Sequence, residues 1–125
     1  MIAIDTSSFI AYLEGGSGKD LELLDEALKA KQAVLPPIVL TELLSDSGLS
    51  HEVIDLFKAL PVLDVSEGYW ERAGISRAAI LAHGGKARIA DALIAQSCLD
   101  HSLGLLTRDS DFNAFSRVCG LLLVH

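Results

Sequence analysis

The chain has 125 residues, of which 50% are hydrophobic and 22% charged, and its formal net charge at pH 7 is −7. This length predicts a single domain over residues 1–125, and the apolar content excludes a disordered protein. The acidic charge argues at first against a nucleic-acid partner, because proteins that bind phosphate backbones usually carry a basic surface.

The apolar runs are short, and the longest of them fall far below the roughly 18 residues that a membrane span needs. The N-terminus has no basic segment leading into a signal-like apolar region. We therefore expect a cytoplasmic protein without membrane contact. Cys98 and Cys119 have no Cys or His neighbour at metal-binding spacing, and we expect both to be buried free thiols.

Apolar runs and helical repeats alternate along the whole chain. The predicted strands cover residues 1–4, 33–35, 61–65, 103–107 and 120–124. The predicted helices cover residues 6–14, 19–32, 37–46, 51–60, 67–85 with Ser66 as N-cap, and 86–102, followed by a helical turn at 111–117. Five short strands between helices predict an α/β domain with a parallel sheet and helices on both faces.

Two acidic residues follow predicted strands directly. Asp5 comes after the first strand, and Asp109 lies just beyond the strand at 103–107, with Asp111 two residues later. The carboxyl ends of parallel strands form the edge of the sheet where ligands usually bind. Asp109 has a second interpretation, since Asp is also a favoured N-cap for the short helix that follows.

Two further acids lie in helices among apolar neighbours. Glu42 is in VLTELL, and Asp91 is in RIADALIA, where apolar side chains nearly encircle the helix. Burying an ionised carboxylate without a partner is unfavourable, and Arg88 is the one basic residue near Asp91 in sequence. A shared hard cation such as Mg²⁺ would satisfy both carboxylates. In isolation, Glu42 is better explained as an ordinary exposed residue on a helix face.

Together these fragments resemble the PIN-domain ribonucleases, especially the VapC-type toxins of toxin–antitoxin pairs. The resemblance spans nearly the whole chain and is carried by Asp5 in MIAIDTSSFIAYL, Glu42 in LTELLSD, Asp91 in ADALIAQ, and Asp109 with Asp111 in LLTRDSDF. It implies a three-layer α/β/α domain with a central five-stranded parallel sheet. It also implies Mg²⁺ or Mn²⁺ at the carboxyl edge of that sheet, activating water to cleave single-stranded RNA.

The resemblance assigns roles residue by residue. Asp5, Glu42, Asp91 and Asp109 would be catalytic and bind metal, Asp111 would be an auxiliary metal ligand, and Thr6 or Ser7 together with Thr107 would be supporting hydroxyls. Lys86 and Arg88, placed on the helix at 86–102, and Arg108 lie close in sequence to the acids and either contact RNA phosphates or form a solvated face. A homodimer and a cognate antitoxin are also implied.

The net charge fits this hypothesis better than it first suggests. Without the five candidate acids, the remaining 12 acidic and 10 basic residues leave a charge of only −2. Three alternatives stay open at this point. One is a phosphohydrolase of the haloacid dehalogenase type, whose D-x-D pattern would need Asp where this chain has Ser7. The others are a PIN-domain RNA-processing nuclease that is not a toxin, and a non-catalytic module of the same fold.

Overall fold

A parallel sheet of three strands forms the centre of the protein. The computed structural model describes residues 1–124, and its strands are β1 (Ile2–Ile4), β2 (Ala33–Val34) and β3 (Leu105–Leu106). They lie in the order β2-β1-β3. Ala3 is paired with both Val34 and Leu105, so β1 is the middle strand and its backbone is paired along both edges.

Seven α-helices and one short 3₁₀ helix surround this sheet within residues 1–124. Their bounds are α1 Thr6–Leu13, α2 Lys19–Lys29, α3 Pro37–Leu44, α4 His51–Ala59, α5 Tyr69–Ala82, α6 Ile89–Asp100, a 3₁₀ helix Ser110–Phe112, and α7 Asn113–Cys119. Pro37 occupies the first turn of α3, as its missing N–H and fixed φ favour. The helix α5 packs against α6 and α7, while α1 packs against α2 and α3. None of the described helices is long and apolar enough to cross a membrane.

The predicted five-stranded sheet is wrong by two strands. Segments 61–65 and 120–124 do lie beside the sheet in parallel orientation, but each pairs through a single residue, Val62 with Leu35 and Leu123 with Leu105. The strands they would extend are only two residues long. Leu35 uses both its N–H and its carbonyl to bond to residues 61–63, and Pro37, the next residue that faces this edge, has no N–H to donate, so the pairing does not continue.

Aromatic and branched side chains fill the core beside the sheet. Phe9 of α1 and Phe57 of α4 are fully buried and meet edge to face, with ring centroids 5.4 Å apart. Ile4 and Leu106, the last residues of β1 and β3, have no exposed surface. Because these strand ends are fixed by the core, the residues immediately after them are held at defined positions on the edge of the sheet.

Two predicted helix starts differ from the structure. The helix predicted at 86–102 begins at Ile89, and Arg88 before it is extended, with φ −70° and ψ 150°. The carbonyl of Ala87 accepts a hydrogen bond from Nε of Arg77 at 2.7 Å instead of taking part in a further helical turn. The N-cap of α5 is Gly68 rather than Ser66, whose hydroxyl donates to Asp100.

Both cysteines are free, as predicted, but only Cys98 is buried as expected, and Cys119 is partly exposed. Cys98 is fully buried in α6, and burial raises the pKa of its thiol to about 12. A thiol with this pKa stays protonated at neutral pH and is therefore a packing residue rather than a nucleophile.

Candidate metal centre

The carboxylate of Asp5 is fixed at the carboxyl end of β1. Asp5 is the N-cap of α1 and is only 5% exposed. Its Oδ2 accepts hydrogen bonds from Oγ of Ser7 at 2.6 Å, from Oγ1 of Thr107 at 2.7 Å, and from the backbone N of Ser7 at 3.4 Å. Three donors on one oxygen hold the carboxylate in one orientation.

Ser7 and Thr107 also connect Asp5 to the chain that follows β3. Oγ1 of Thr107 accepts from the backbone N of Asp109 at 3.0 Å, and Oγ of Ser7 accepts from the backbone N of Arg108 at 3.0 Å. The two hydroxyl oxygens lie 3.2 Å apart. Each hydroxyl thus bonds to both strand ends, so the positions of Asp5 and Asp109 depend on each other although they are far apart in sequence.

Asp109 caps the turn after β3, which is one of the two roles predicted for it. Its Oδ1 accepts from the backbone N of Asp111 at 2.9 Å, and Asp109 is the N-cap of the 3₁₀ helix. Capping does not exclude a second role, because a carboxylate has two oxygens and can accept from a cap while facing a cation. The cap also brings Asp111 to the same side as Asp109.

Three carboxylates gather where this turn meets the first turn of α6. One oxygen each from Asp91, Asp109 and Asp111 lies within 4.8 Å of the other two. The pKa of Asp91 is raised from its ordinary value of 3.8 to about 6, mainly by burial and then by the charges of Asp109, Asp5 and Asp111. Arg88 acts in the opposite direction on this pKa but forms no ion pair with Asp91 among the described residues.

Glu42 lies outside this group of three and is exposed on α3. Its Oε1 accepts a hydrogen bond from Oγ1 of Thr6 at 2.8 Å, which links α3 to the start of α1 directly beside Asp5. The contact places Thr6 as a supporting hydroxyl for Glu42, while Ser7 and Thr107 support Asp5. The predicted hydroxyls therefore bind two different acids rather than one.

The donor set of this region suits a hard divalent cation. All of the candidate ligands are carboxylate oxygens, which Mg²⁺ and Mn²⁺ prefer over nitrogen or sulfur. The ion pairs within residues 1–124 join Lys29 to Asp25, Arg72 to Asp100, and Arg108 to Asp20, so none of the five candidate acids has a cationic partner there. The raised pKa of Asp91 indicates negative charge that a cation would stabilise.

Arg108 is paired with an acid outside the candidate site. Its Nε and Nη2 donate to the two carboxylate oxygens of Asp20 at 2.7 and 3.1 Å, and Nη2 also donates to the carbonyl of Ser17 at 2.6 Å. This pairing lowers the pKa of Asp20 and raises that of Arg108. Arg108 thus connects the turn after β3 to the start of α2. Its contact with an RNA phosphate stays a prediction.

Lys86 and Arg88 lie in the segment that precedes α6, on the exposed side of the site. They share a cavity with Asp91, Asp111 and Arg77. Arg77 was not among the predicted residues. It belongs to the interior of α5, and no local pattern distinguishes it from other helical arginines, so only its tertiary contacts bring it to this region.

Replacing Thr107 with valine should weaken the binding of Mn²⁺ by about 10- to 100-fold, because residues that orient metal ligands typically contribute this much. Valine keeps the shape of threonine but removes both the donor to Asp5 and the acceptor for Asp109. Isothermal titration calorimetry measures the affinity. Thr41→Val is the matched control, since Thr41 is exposed on α3. Equal affinities of the two variants would contradict a supporting role for Thr107.

Comparison with known proteins adds to this geometry. The PIN domain family matches residues 2–119. Ribonuclease VapC11 of Mycobacterium tuberculosis is 34% identical over 131 residues, and the alignment covers 97% of this chain and 96% of the relative. VapC ribonuclease Mb1587 of Mycobacterium bovis matches with the same identity and coverage.

Solved structures share the fold over essentially the full length. The structure of VapBC2 from Rickettsia felis bound to a DNA fragment from its promoter superposes with a TM-score of 0.77 and 22% identity, covering 99% of this chain and 98% of the other. FitAcB from Neisseria gonorrhoeae gives a TM-score of 0.73 and 20% identity, covering 100% and 97%. At these identities the likeness establishes the fold alone.

Proposed function

Because the chain belongs to the PIN-domain family and, within it, to the VapC ribonucleases, we propose that it is a metal-dependent endoribonuclease. It would cleave phosphodiester bonds of single-stranded RNA with Mg²⁺ or Mn²⁺ and act as the toxin of a type II toxin–antitoxin pair. The observation that carries this proposal is the group of three carboxylates within 4.8 Å, beside the buried carboxylate of Asp5.

The proposed site uses the predicted acids. Asp5, Glu42, Asp91 and Asp109 are the catalytic and metal-binding residues, with Asp111 as a further ligand. When bound, a divalent ion lowers the pKa of a coordinated water and offsets charge on phosphoryl oxygens. The protein's own contribution is orientation. Ser7 and Thr107 orient the carboxylate of Asp5, and the caps at Asp5 and Asp109 fix both acids to the ends of buried strands.

The alternatives are less well supported. A haloacid dehalogenase mechanism needs a second Asp two residues after the first, but Ser7 occupies this position and its hydroxyl donates to Asp5. A non-catalytic module is expected to lack at least one acid of the set, and all of them are present. The VapC relatives favour a toxin over an RNA-processing nuclease that is not a toxin.

The partners proposed with this function are a cognate antitoxin and a second copy of the chain. The antitoxin is supported by the neighbouring structures, several of which are VapBC complexes. Exposed apolar side chains on α5, including Trp70 and Ile75, are compatible with a homodimer, which stays a prediction. The cytoplasmic location stays a prediction as well.

Removal of the metal is the direct test of the proposed activity. Purified protein should cleave a labelled single-stranded RNA in Mn²⁺ or Mg²⁺, lose this activity in EDTA, and recover it when excess Mn²⁺ is added back. Denaturing gels of the 5′-labelled products measure the rate. RNA that stays intact in Mn²⁺, or that is cut equally fast in EDTA, would contradict the proposal for that substrate.

A further inference from the structure

A basic cleft opens directly beside the acidic group. It is a cavity of about 530 Å³ between the end of α5 and the start of α6. We define the basic cleft by Arg77, Lys86 and Arg88 on one side and by Asp91 and Asp111 on the other. The protein as a whole has a charge of −7, whereas three cations line this one cavity.

The cations of the basic cleft are not neutralised within the part of the chain that the structure covers. The ion pairs found there involve Lys29, Arg72 and Arg108. Lys86 and Arg88 also make no side-chain hydrogen bond among residues 1–124, although both are near Asp91. The cleft therefore presents positive charge that an anionic ligand would balance.

Arg77 holds the segment that carries the other two cations. Its Nε donates to the carbonyl of Ala87 at 2.7 Å, and Ala87 is only 7% exposed. Its neighbours Lys86 and Arg88 are both exposed. Because Arg77 uses Nε for this bond, the two Nη groups at the far end of its guanidinium remain available as donors to a ligand.

The segment is also fixed from the other end. The backbone N of Gly85 donates to the carbonyl of Ile80 at 3.1 Å, and Gly84 adopts a positive φ of 78° that reverses the chain after α5. A Cβ at position 85 would lie 2.9 Å from Cγ2 of Ile80, so the segment packs too closely against α5 for a larger residue. The cleft is thus largely preformed rather than a flexible loop.

The arrangement of charges selects the kind of anion. A small free anion in the cleft would meet Asp91 and Asp111 on the opposite side, which disfavours its binding. A polymer with regularly spaced phosphates would instead place one phosphate at the acidic site with its cation and a neighbouring one against the arginines. Guanidinium groups suit this, because they donate paired hydrogen bonds to phosphate oxygens.

We propose that the basic cleft binds a backbone phosphate of the RNA strand adjacent to the phosphate that is cleaved. Arg77 contacts this phosphate and at the same time positions Lys86 and Arg88 for the same strand. The inference is founded on the proposed ribonuclease function and adds the direction in which the strand leaves the acidic group, which is toward the junction of α5 and α6.

The test uses Arg77→Gln and Lys86→Gln in the full chain, with Arg117→Gln as the matched control. Arg117 is an exposed arginine of α7 that does not line the cleft, so its replacement removes the same charge elsewhere. Cleavage of a labelled single-stranded RNA in Mn²⁺ gives kcat and KM. Because the contact is to a phosphate that does not react, the cleft variants should raise KM about tenfold and leave kcat nearly unchanged.

A second readout reports the number of phosphate contacts directly. Fluorescence anisotropy of the same RNA in Ca²⁺, with gels to verify that it stays intact, gives the dissociation constant at several salt concentrations. Each lost contact to a single strand should reduce the slope of log K against log salt by about 0.7. Arg117→Gln should leave this slope unchanged, and thermal unfolding should show that all variants are folded.

The outcomes distinguish failure of the ribonuclease function from failure of the phosphate contact in the basic cleft. If the wild-type protein neither cleaves nor binds RNA, the ribonuclease function fails and the cleft proposal fails with it. If the wild-type protein cleaves RNA but both cleft variants keep its KM and salt slope, only the cleft proposal is overturned. Lys86→Gln guards against misfolding, since Lys86 makes no side-chain hydrogen bond or ion pair within residues 1–124, whereas Arg77→Gln also releases Ala87.

Discussion

Replacing Asp5 with asparagine is expected to reduce RNA cleavage by about 100- to 1,000-fold or more, the usual effect of removing one preorganised electrostatic group from an active site. The asparagine oxygen can still accept from Ser7 and Thr107, so the hydrogen bonds that orient the side chain are largely kept. The negative charge is lost, and with it the attraction for a divalent cation. The change therefore separates the chemistry of Asp5 from its role as the N-cap of α1.

Initial rates of cleavage in Mn²⁺ measure this effect, with thermal unfolding to verify the fold. Asp55→Asn is the matched control, because Asp55 is exposed on α4 and the substitution removes the same charge away from the site. The control should retain wild-type rates. Full activity of the Asp5 variant would remove Asp5 from the mechanism, and equal loss in both variants would point to a general effect of charge.

The acids at the strand ends were predictable because buried strands are short apolar runs that end abruptly. MIAI and LGLLT identify β1 and β3, and in a parallel sheet their carboxyl ends meet at one edge. Asp5 and Asp109 are therefore brought to the same edge by topology alone. The hydroxyl of Thr107, which bonds to both of them, follows from the same alignment.

The edge strands were not predictable to the same degree. Segments 61–65 and 120–124 have the composition of strands, but an edge segment forms a ladder only where its neighbour offers consecutive free N–H and C=O groups. Leu35 and Leu105 each offer one position. The number of strands thus depends on how long the inner strands remain extended, which composition does not indicate.

The partners of the basic side chains could not be predicted from the sequence. Arg108 was predicted either to contact phosphate or to lie on a solvated face, and neither alternative indicates its ion pair with Asp20, which is 88 residues away. Arg77 belongs to α5, and it lies beside the site because its side chain bonds to the carbonyl of Ala87, ten residues later. Long flexible side chains are directed by tertiary neighbours rather than by their position in the sequence, so their partners cannot be read from local patterns.

Replacing Asp91 with asparagine is expected to stabilise the metal-free protein near neutral pH while strongly reducing cleavage. Burial, together with the charges of Asp109, Asp5 and Asp111, raises the pKa of Asp91 to about 6, from an ordinary value of 3.8. Between these two values the folded protein binds more protons than the unfolded chain. The free energy of unfolding therefore falls as the pH rises from about 4 to 6, and it stays lower above this window.

Asparagine cannot ionise, so the variant avoids this destabilisation. In EDTA its melting temperature should exceed that of the wild type at pH 8, and the difference should shrink toward pH 4, where Asp91 is protonated in the folded protein and about half protonated in the unfolded chain. Thermal unfolding at pH 4, 6 and 8 measures this convergence. Asp55→Asn should show no such pH-dependent gain. A variant no more stable than the wild type at pH 8 would contradict a strained Asp91 carboxylate.

Adding Mn²⁺ should reverse the order of stability. A ligand that binds only the folded protein at 1,000 times its dissociation constant stabilises it by about 4.1 kcal/mol, which exceeds the destabilisation expected from the Asp91 carboxylate, and the wild type should gain more of this than the variant at neutral pH. The same carboxylate that destabilises the metal-free protein is then the one that the cation stabilises. An acid that destabilises the metal-free protein but stabilises the metal-bound protein serves binding rather than folding, as expected of a functional residue.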